Sequence, residues 1–256
     1  MRAMPVQQRI RRVTAPTLAR VFLRSFFLQA AWNPRGMQNL GFASAIAPAL
    51  SDLYRDQKDR VAAARRHLEL FNCHPYAAAA IVGGAVRLEE EVAAGKASAR
   101  DVSMFKFSLA SPFAALGDGF FWLALRPVAA LLAALTQPFL GLWYVPLFLL
   151  MYDSVHLAAR VSLFGAGYRK AAGIVEILSH AHIPLATRVL KAVAAVLAGA
   201  LAARGVLLAS LPHRPGNGVL VAAVIVAGVV FLPRVRLPIA LYAALALGLA
   251  LGGGFL

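Results

Sequence analysis

The sequence predicts an all-α integral membrane protein, built from interfacial amphipathic helices, broken or re-entrant helices and several transmembrane spans. Three observations carry that expectation. Hydrophobic residues make up 60% of the 256-residue chain and charged residues only 14%, well below the roughly one quarter usual in soluble domains. Arg2, Arg9, Arg11, Arg12, Arg20, Arg24 and Arg35 all precede the first acid, Asp52. Residues 127–152 hold no charged side chain at all, a run long enough to cross a bilayer with some tilt.

The same numbers exclude other classes. Disorder requires low hydrophobicity, and a single cysteine, Cys73, cannot make an intrachain disulfide scaffold. A formal charge of +15, from 26 Lys and Arg against 11 Asp and Glu, would suit nucleic acid if it were gathered on a polar domain. Here the arginines are scattered among apolar runs, so no nucleic-acid partner is expected. The acid-free, basic N-terminal end is expected to stay on the cytoplasmic side of a bacterial inner membrane, beside anionic headgroups. No small-residue cleavage site follows a compact apolar run in the first fifty residues, which argues against a signal peptide.

Taken in order, residues 1–16 read as a basic arm punctuated by Pro5 and Pro16, and residues 17–101 as an amphipathic, interfacial helical region. Between Thr17 and Trp32, Thr17, Arg20 and Arg24 share one narrow face, while Leu18, Phe22, Leu23, Phe26 and Phe27 cover the rest. A basic strip opposite aromatic residues suits a helix lying in the membrane interface. Pro34, Gly36, Gly41 and Pro48 interrupt the next stretch, and residues 52–66 are the most water-like part of the chain. Charge of that density belongs outside hydrocarbon. The apolar run 76–86 is too short to span, which makes it a re-entrant or buried packing helix. Of Glu89, Glu90 and Glu91, which follow it, most are expected to face water, one pairing with Arg65, Arg66 or Arg87.

Residues 102–191 read as a broken membrane helix, a long span and a polar connector. The break is signalled by Lys106, Pro112, Gly117, Asp118 and Gly119, and backbone freed at membrane depth must be sheltered by protein or a water-filled cavity. Pro138 and Pro146 are expected to kink the charge-free run or divide it into half-helices. The connector carries Asp153, His156, Arg160, Arg169, Lys170, Glu176, His180 and His182, with Gly165, Gly167 and Gly173 marking turns or close helix contacts. Residues 192–256 supply the last membrane spans. Residues 192–211 form an apolar segment interrupted by Arg204, residues 213–218 a turn, and residues 219–232 and 237–256 two final apolar segments.

Few residues offer chemistry. Zinc hydrolysis in a membrane needs two histidines one turn apart with a glutamate between them. No such motif occurs, and His180 and His182, two apart, point to different sides of a helix, so no metal and no cofactor are expected. No phosphate-cradling glycine loop is present, and Cys73 lacks a nucleophile's setting. Asp118 stands out as an acid between Gly117 and Gly119, followed by Phe120, Phe121 and Trp122 in an apolar segment. An intramembrane carboxylate marks a functional or a paired site, with Arg126 or Lys106 as the candidate structural partner. Trp32 and Trp122 suit either sugar stacking or an interfacial belt.

Four blocks carry a family resemblance: ARVFLRSFFLQAAWN at 19–33, RRHLELFNCHP at 65–75, RLEEE at 87–91 and SPFAALGDGFFWLALRP at 111–127. With Arg160, Gly167, Tyr168 and Gly173 further on, the chain resembles the IID component of the mannose/fructose/sorbose family of phosphotransferase-system (PTS) sugar permeases. The resemblance implies a subunit that forms the sugar-translocating unit with a IIC-like membrane subunit, by an elevator-like movement. Soluble IIA and IIB phosphocarriers would phosphorylate the incoming hexose-type sugar, and this chain would carry no phosphoryl-accepting residue. The sugar path is then expected to draw on Asn72, His74 and Asp118, with Trp32, Asn33, His67 and Glu69 as further candidates, and Pro112, Gly117, Gly119 and Arg126 as structural or hinge positions. The family pattern GPLAGxGDP appears here as Ser111-Pro112-Phe113-Ala114-Ala115-Leu116-Gly117-Asp118-Gly119, and FNTHP as Phe71-Asn72-Cys73-His74-Pro75. Side chains where the family has glycine fill space that a sugar or partner helix would use. That leaves, as the alternative, a non-transporting regulatory or docking membrane protein for soluble PTS phosphocarriers.

Overall fold

The structure is a computed structural model and describes residues 12–174, Glu176 and residues 182–210. The turn at 213–218, the apolar segments 219–232 and 237–256, most of the basic arm and His180 lie outside the described residues. The described residues are mostly helical, and two stretches among them are long and apolar enough to cross a membrane: Ala99–Lys170 and Ile183–Leu201.

Local chemistry sets the helix starts. Helix α1 (Ala15–Ser25) begins where the Thr14 hydroxyl accepts the Thr17 amide and Pro16 sits in the first turn. Helix α2 spans Asn39–Leu53. Helix α3 (Gln57–His67) is capped by Asp56, whose carboxylate accepts the Lys58 and Asp59 amides. Helix α4 covers Ala78–Ala93. Helix α5 (Ala99–Gly117) opens on a reciprocal capping box between Ser98 and Asp101. At Asp118 the helix widens into a π-helical segment, Asp118–Leu125, before α6 (Arg126–Leu140) continues. A 3₁₀ turn, Gly141–Trp143, then leads into α7 (Tyr144–Lys170). Helix α8 (Ile183–Ser210) is the last described.

The division expected of the charge-free run occurs at this 3₁₀ turn, between the two prolines. Gly141 takes φ +52° there, a left-handed conformation that glycine adopts without a Cβ clash. The stretch expected to be broken near Gly117–Gly119 changes its helical type instead of unwinding. A π-helical segment keeps the backbone hydrogen-bonded while bending and widening the turn.

The chain divides into two compact units, the first comprising Met1–Leu123 with Leu149–Thr187 and the second Ala124–Phe148 with Arg188–Leu256. In the first, α4 is the central helix: every residue from Ala78 to Val86 is buried, against α1, α2 and α5. The run 76–86 is therefore a buried packing helix. Its alanines and glycines let neighbours come close. A Cβ on Gly83 would lie 2.3 Å from the Phe164 carbonyl oxygen, and one on Gly167 would lie 2.0 Å from that of Ala80. Of the three glycines expected at turns or contacts, Gly167 thus marks the crossing of α4 and α7. In the second unit, Val128, Ala129 and Ala133 are buried on α6, while Phe139, Leu142 and Trp143 are exposed.

Two expectations are corrected. Thr17 does not share an exposed face with Arg20 and Arg24; it is buried with Val21 and Ser25. The packed stripe of α1 is small and partly polar, while Leu23 and Phe27 are 61% and 70% exposed, an apolar surface of the kind an interfacial helix presents. The acidic run does not mostly face water either: Glu89 and Glu90 are completely buried. Each has enough donors to make burial tolerable, as described next.

Candidate functional site

Two loops and the π-helical segment bring most of the predicted residues into the first unit. Residues 33–38 are strapped to residues 71–73. The Gln38 amide donates to the Phe71 carbonyl at 2.9 Å, and the Phe71 amide to that of Gly36 at 3.3 Å. The Gln38 side chain then clamps Cys73 from both sides, its Nε2 donating to the Cys73 carbonyl at 2.8 Å and its Oε1 accepting the Cys73 amide at 2.9 Å. The loop that carries Asn72 and His74 is held by this clamp. Nothing in the sequence pattern around Gln38 marks it, because the partner lies 35 residues away. Burial pushes the Cys73 thiol up to about 12, so Cys73 is expected to resist maleimide at neutral pH. Gln38→Ala strands two buried backbone groups and is expected to cost about 1–3 kcal/mol. Its signature would be faster Cys73 labelling in the folded protein; a labelling rate equal to wild type would count against the clamp.

The predicted residues fall into three places. Asn33 is a turn-former: its Oδ1 accepts the Gly36 amide at 2.8 Å and its Nδ2 donates to Asn39 at 2.9 Å. Trp32 and Asn72 are exposed. Glu69 is exposed as well, 3.7 Å from Lys106 and 3.1 Å from the Ser103 hydroxyl. Lys106, one of the two cations considered for Asp118, is thus engaged elsewhere, donating also to the Arg66 carbonyl. Arg126, the other, opens α6 in the second unit. Pro112 lies inside α5, exposed.

His67 belongs to a buried carboxylate centre. Glu89 accepts from Arg66 Nε at 2.6 Å, from His67 Nε2 at 2.8 Å and from the Tyr54 hydroxyl at 2.7 Å, and Arg66 Nη2 completes a bidentate pair. Burial alone would raise the Glu89 carboxyl, but the hydrogen bonds from His67 and Arg66 outweigh it and hold it down to about 2. His67 is displaced downward by burial against the pull of Glu89, so it stays neutral and donates its Nε2 proton. Next to it, Glu90 accepts the Val13 amide at 2.7 Å and the Tyr168 hydroxyl at 2.8 Å, and Arg87 bridges Glu90 and Glu91. The pairing foreseen for one member of the run applies to all three acids.

His74 joins in space two of the blocks that carry the family resemblance. It is buried, stacks on Phe121 at 5.1 Å and leans on Trp122 at 4.7 Å, both in the π-helical segment that starts at Asp118. Gly117 makes room for it: a Cβ there would lie 2.4 Å from His74 Cβ. Gly119 is different, with its nearest neighbour 4.0 Å away. Gly117→Ala is therefore expected to displace His74 and lower the melting temperature, whereas Gly119→Ala is expected to melt like wild type. Equal melting of the two variants in detergent would contradict this packing. Burial, with Arg160 and His156 nearby, lowers the His74 imidazole to about 4. Behind Gly117 and Phe121 lies a cavity of about 270 Å³, bordered also by Ala77, Phe113 and Leu163.

Sequence reasoning noted His156 and Arg160 only as connector residues, Arg160 also as part of the resemblance, and placed neither them nor Tyr76 among the site candidates. His156 stacks on Tyr76 at 4.3 Å, and the Arg160 guanidinium lies between the rings of Tyr76 and Phe26, at 4.8 and 4.4 Å. The available signal was a buried-type pattern in α7, where His156 and Arg160 are one turn apart.

A helical membrane protein with polar centres sealed inside one unit is the class defined by this fold. Residues 12–223 match the family described as the PTS system mannose/fructose/sorbose family IID component, and the chain belongs to that family. It is 38% identical over 169 residues to the PTS system mannose-specific EIID component of Escherichia coli strain K12, covering 65% of this chain and 59% of that protein. To the fructose permease IID component of Bacillus subtilis strain 168 it is 32% identical over 170 residues, covering 66% of this chain and 62% of the relative. The chain thus spans about three fifths of the length of these relatives. Among solved structures, the cryo-EM structure of the mannose transporter ManYZ in complex with microcin E492 (MceA) is similar at a TM-score of 0.61 and 34% identity, over 76% of this chain and 72% of that one.

Proposed function

We infer that this chain is the IID subunit of a mannose-type sugar permease. It pairs with a IIC-like membrane subunit to translocate a hexose-type sugar, which the soluble IIA and IIB phosphocarriers phosphorylate. The protein sits in a bacterial inner membrane with its N-terminus cytoplasmic, in keeping with the acid-free arginine-rich start. The observation that carries the reading is the meeting of His74, from the loop at residues 71–75, with Gly117, Phe121 and Trp122 in a chain that matches the IID family over residues 12–223. Aromatic faces beside fixed polar groups are the usual means of holding a sugar.

His74 and Asp118 line or brace the sugar path, and Asn72 meets the sugar or a partner from its exposed loop. His67 acts indirectly, by fixing the Glu89 centre. Trp32, Asn33 and Glu69 shape the surface around residues 33–39 and 66–69. Enclosing a sugar takes several polar partners, since each unmet buried hydrogen bond costs about 1–3 kcal/mol, so the IIC-like subunit supplies the others.

The test is sugar uptake coupled to phosphoenolpyruvate-dependent phosphorylation, in cells producing this chain with a IIC-like subunit. Uptake that is unchanged when the chain is omitted would overturn the reading. Asp118 has no ion pair among the described residues, so Asp118→Asn is expected to leave assembly intact and reduce uptake. Normal uptake in that variant would remove Asp118 from the path.

A further inference from the structure

Four buried side-chain nitrogens lack a partner among the described residues: His67 Nδ1, His74 Nε2, His156 Nδ1 and Arg160 Nε. Three of them belong to side chains packed on a single ring, that of Tyr76. His74 meets it edge-on at 4.8 Å, His156 lies flat on it at 4.3 Å, and the Arg160 guanidinium carbon is 4.8 Å from its centre. His74 and Arg160 are 1% and 4% exposed. Buried polar atoms are rarely left unmet, so a cluster of three asks for a bound group.

The hydrogen-bond partners already present define what that group must offer. His74 Nδ1 accepts the Tyr76 amide at 3.3 Å, so in the neutral ring Nε2 carries the proton and is a donor without an acceptor. His156 Nε2 lies 3.1 Å from Asp153 Oδ1; it donates there, which leaves Nδ1 as an acceptor without a donor. Arg160 Nη1 reaches the Ser25 carbonyl at 3.5 Å, while its Nε–H has nowhere to go. The cluster therefore presents two donors and one acceptor. A hydroxyl group, which accepts two hydrogen bonds and donates one, satisfies all three. Phosphate at neutral pH also keeps a P–OH donor, but it brings negative charge to a buried site in which only Arg160 of the three side chains is a cation, whereas a hydroxyl brings none.

We propose that His74, His156 and Arg160 enclose a binding site for one uncharged hydroxyl oxygen, beside the Tyr76 ring. The oxygen comes either from a tightly held water or from the carried sugar. The second source rests on the permease reading and the first does not. Gly117 and Phe121, which pack on His74, also border the apolar cavity, whose walls suit the C–H face of a sugar ring rather than its other hydroxyls.

The test uses the full chain in lipid nanodiscs with ¹⁵N-labelled histidine, probed by NMR with D-mannose, D-fructose, L-sorbose and inorganic phosphate added separately. Both rings are expected to be neutral with the proton on Nε2. A hexose that shifts the His74 and His156 signals together, with the His74 shift lost in His156→Phe, identifies a sugar hydroxyl. Cross-relaxation of the His74 Nε2 proton with a long-lived water, insensitive to every sugar, identifies a water. In that case His156→Phe, which keeps the stacked ring but removes the acceptor, is expected to speed solvent exchange of the His74 proton roughly fivefold, the equivalent of one neutral hydrogen bond. Phosphate alone shifting the rings would overturn the proposal, as would a His74 Nε2 proton with neither a bound water nor a response to sugar. Because the water arm needs no uptake, a chain that proves not to transport leaves the site testable.

Discussion

Glu89→Gln is expected to destabilise the first unit by about 3–5 kcal/mol, the typical penalty for removing one partner of a buried ion pair. The neutral amide has nearly the same shape, so the loss isolates charge from packing. Arg66 would lose its bidentate partner, and the His67 and Tyr54 protons would face a weaker acceptor. Tyr54→Phe removes a single hydrogen bond to the same carboxylate and is expected to cost less, about 1.5–3 kcal/mol. Thermal unfolding of the purified chain checks both, and a Glu89→Gln protein that melts with wild type would mean that Arg66 and His67 find other partners.

The Glu89 centre and His74 together make the protein acid-labile in two stages. His67 and His74 are displaced downward by burial, His74 to about 4 from 6.5. The unfolded chain takes up protons at these sites first, so stability falls as pH drops from about 6.5 towards 4. The Glu89 carboxyl is held at about 2 against 4.5 in the unfolded chain, so its contribution is complete above about 4.5 and is lost as pH falls towards 2. The gap in stability between wild type and Glu89→Gln should therefore be constant above pH 5 and close below it.

Gly167→Ala is the second change with a large expected effect. Its Cβ would stand 2.0 Å from the Ala80 carbonyl oxygen, and that of Gly83→Ala 2.3 Å from the Phe164 carbonyl oxygen. These obstacles are backbone atoms in the middle of helices, so no rotamer change relieves them and α4 and α7 must separate. Overpacking of this kind costs typically 1–3 kcal/mol, and more where the neighbour is rigid. The separation would also pull on Arg160 and Tyr168, which lie on α7 with Gly167, and so on the hydrogen bond from Tyr168 to Glu90 of α4. A melting temperature within a degree or two of wild type for both alanine variants would show that the helices tolerate a wider crossing.

Much of the architecture was legible in residue order. The short apolar run at 76–86 and the glutamates after it mark a helix that does not span, re-entrant or packed, and the charge-free stretch at 127–152 marks a membrane segment. Burial of residues 78–86 decided for packing. The blocks RLEEE and GDGFFW were visible as unusual before any contact was known. Less legible were the partners. The acidic run reads as solvated because three adjacent carboxylates usually are. Its burial follows from Arg66, His67, Tyr54, Arg87 and Tyr168, brought from 23 and 22 residues away in the case of Arg66 and His67. Thr17 was misplaced for a related reason: periodicity identifies a face of α1, but the close approach of α2 determines which face is buried. Gly41, whose Cβ would lie 2.0 Å from the Leu28 carbonyl oxygen, lets α2 come close to the turn that follows α1.

By itself the amino-acid order determined that the chain is helical, that it belongs in a bilayer, and which motifs carry its polar groups. Composition and periodicity are sums over neighbours in sequence, and these properties depend on such sums. Tertiary structure alone decided that Glu89 is an anchored anion, that Gln38 clamps Cys73, and that His74, His156 and Arg160 surround one tyrosine. Each of these rests on a distance between segments far apart in the chain, and in a low-dielectric interior the partner within 3 Å determines whether a polar side chain is tolerated.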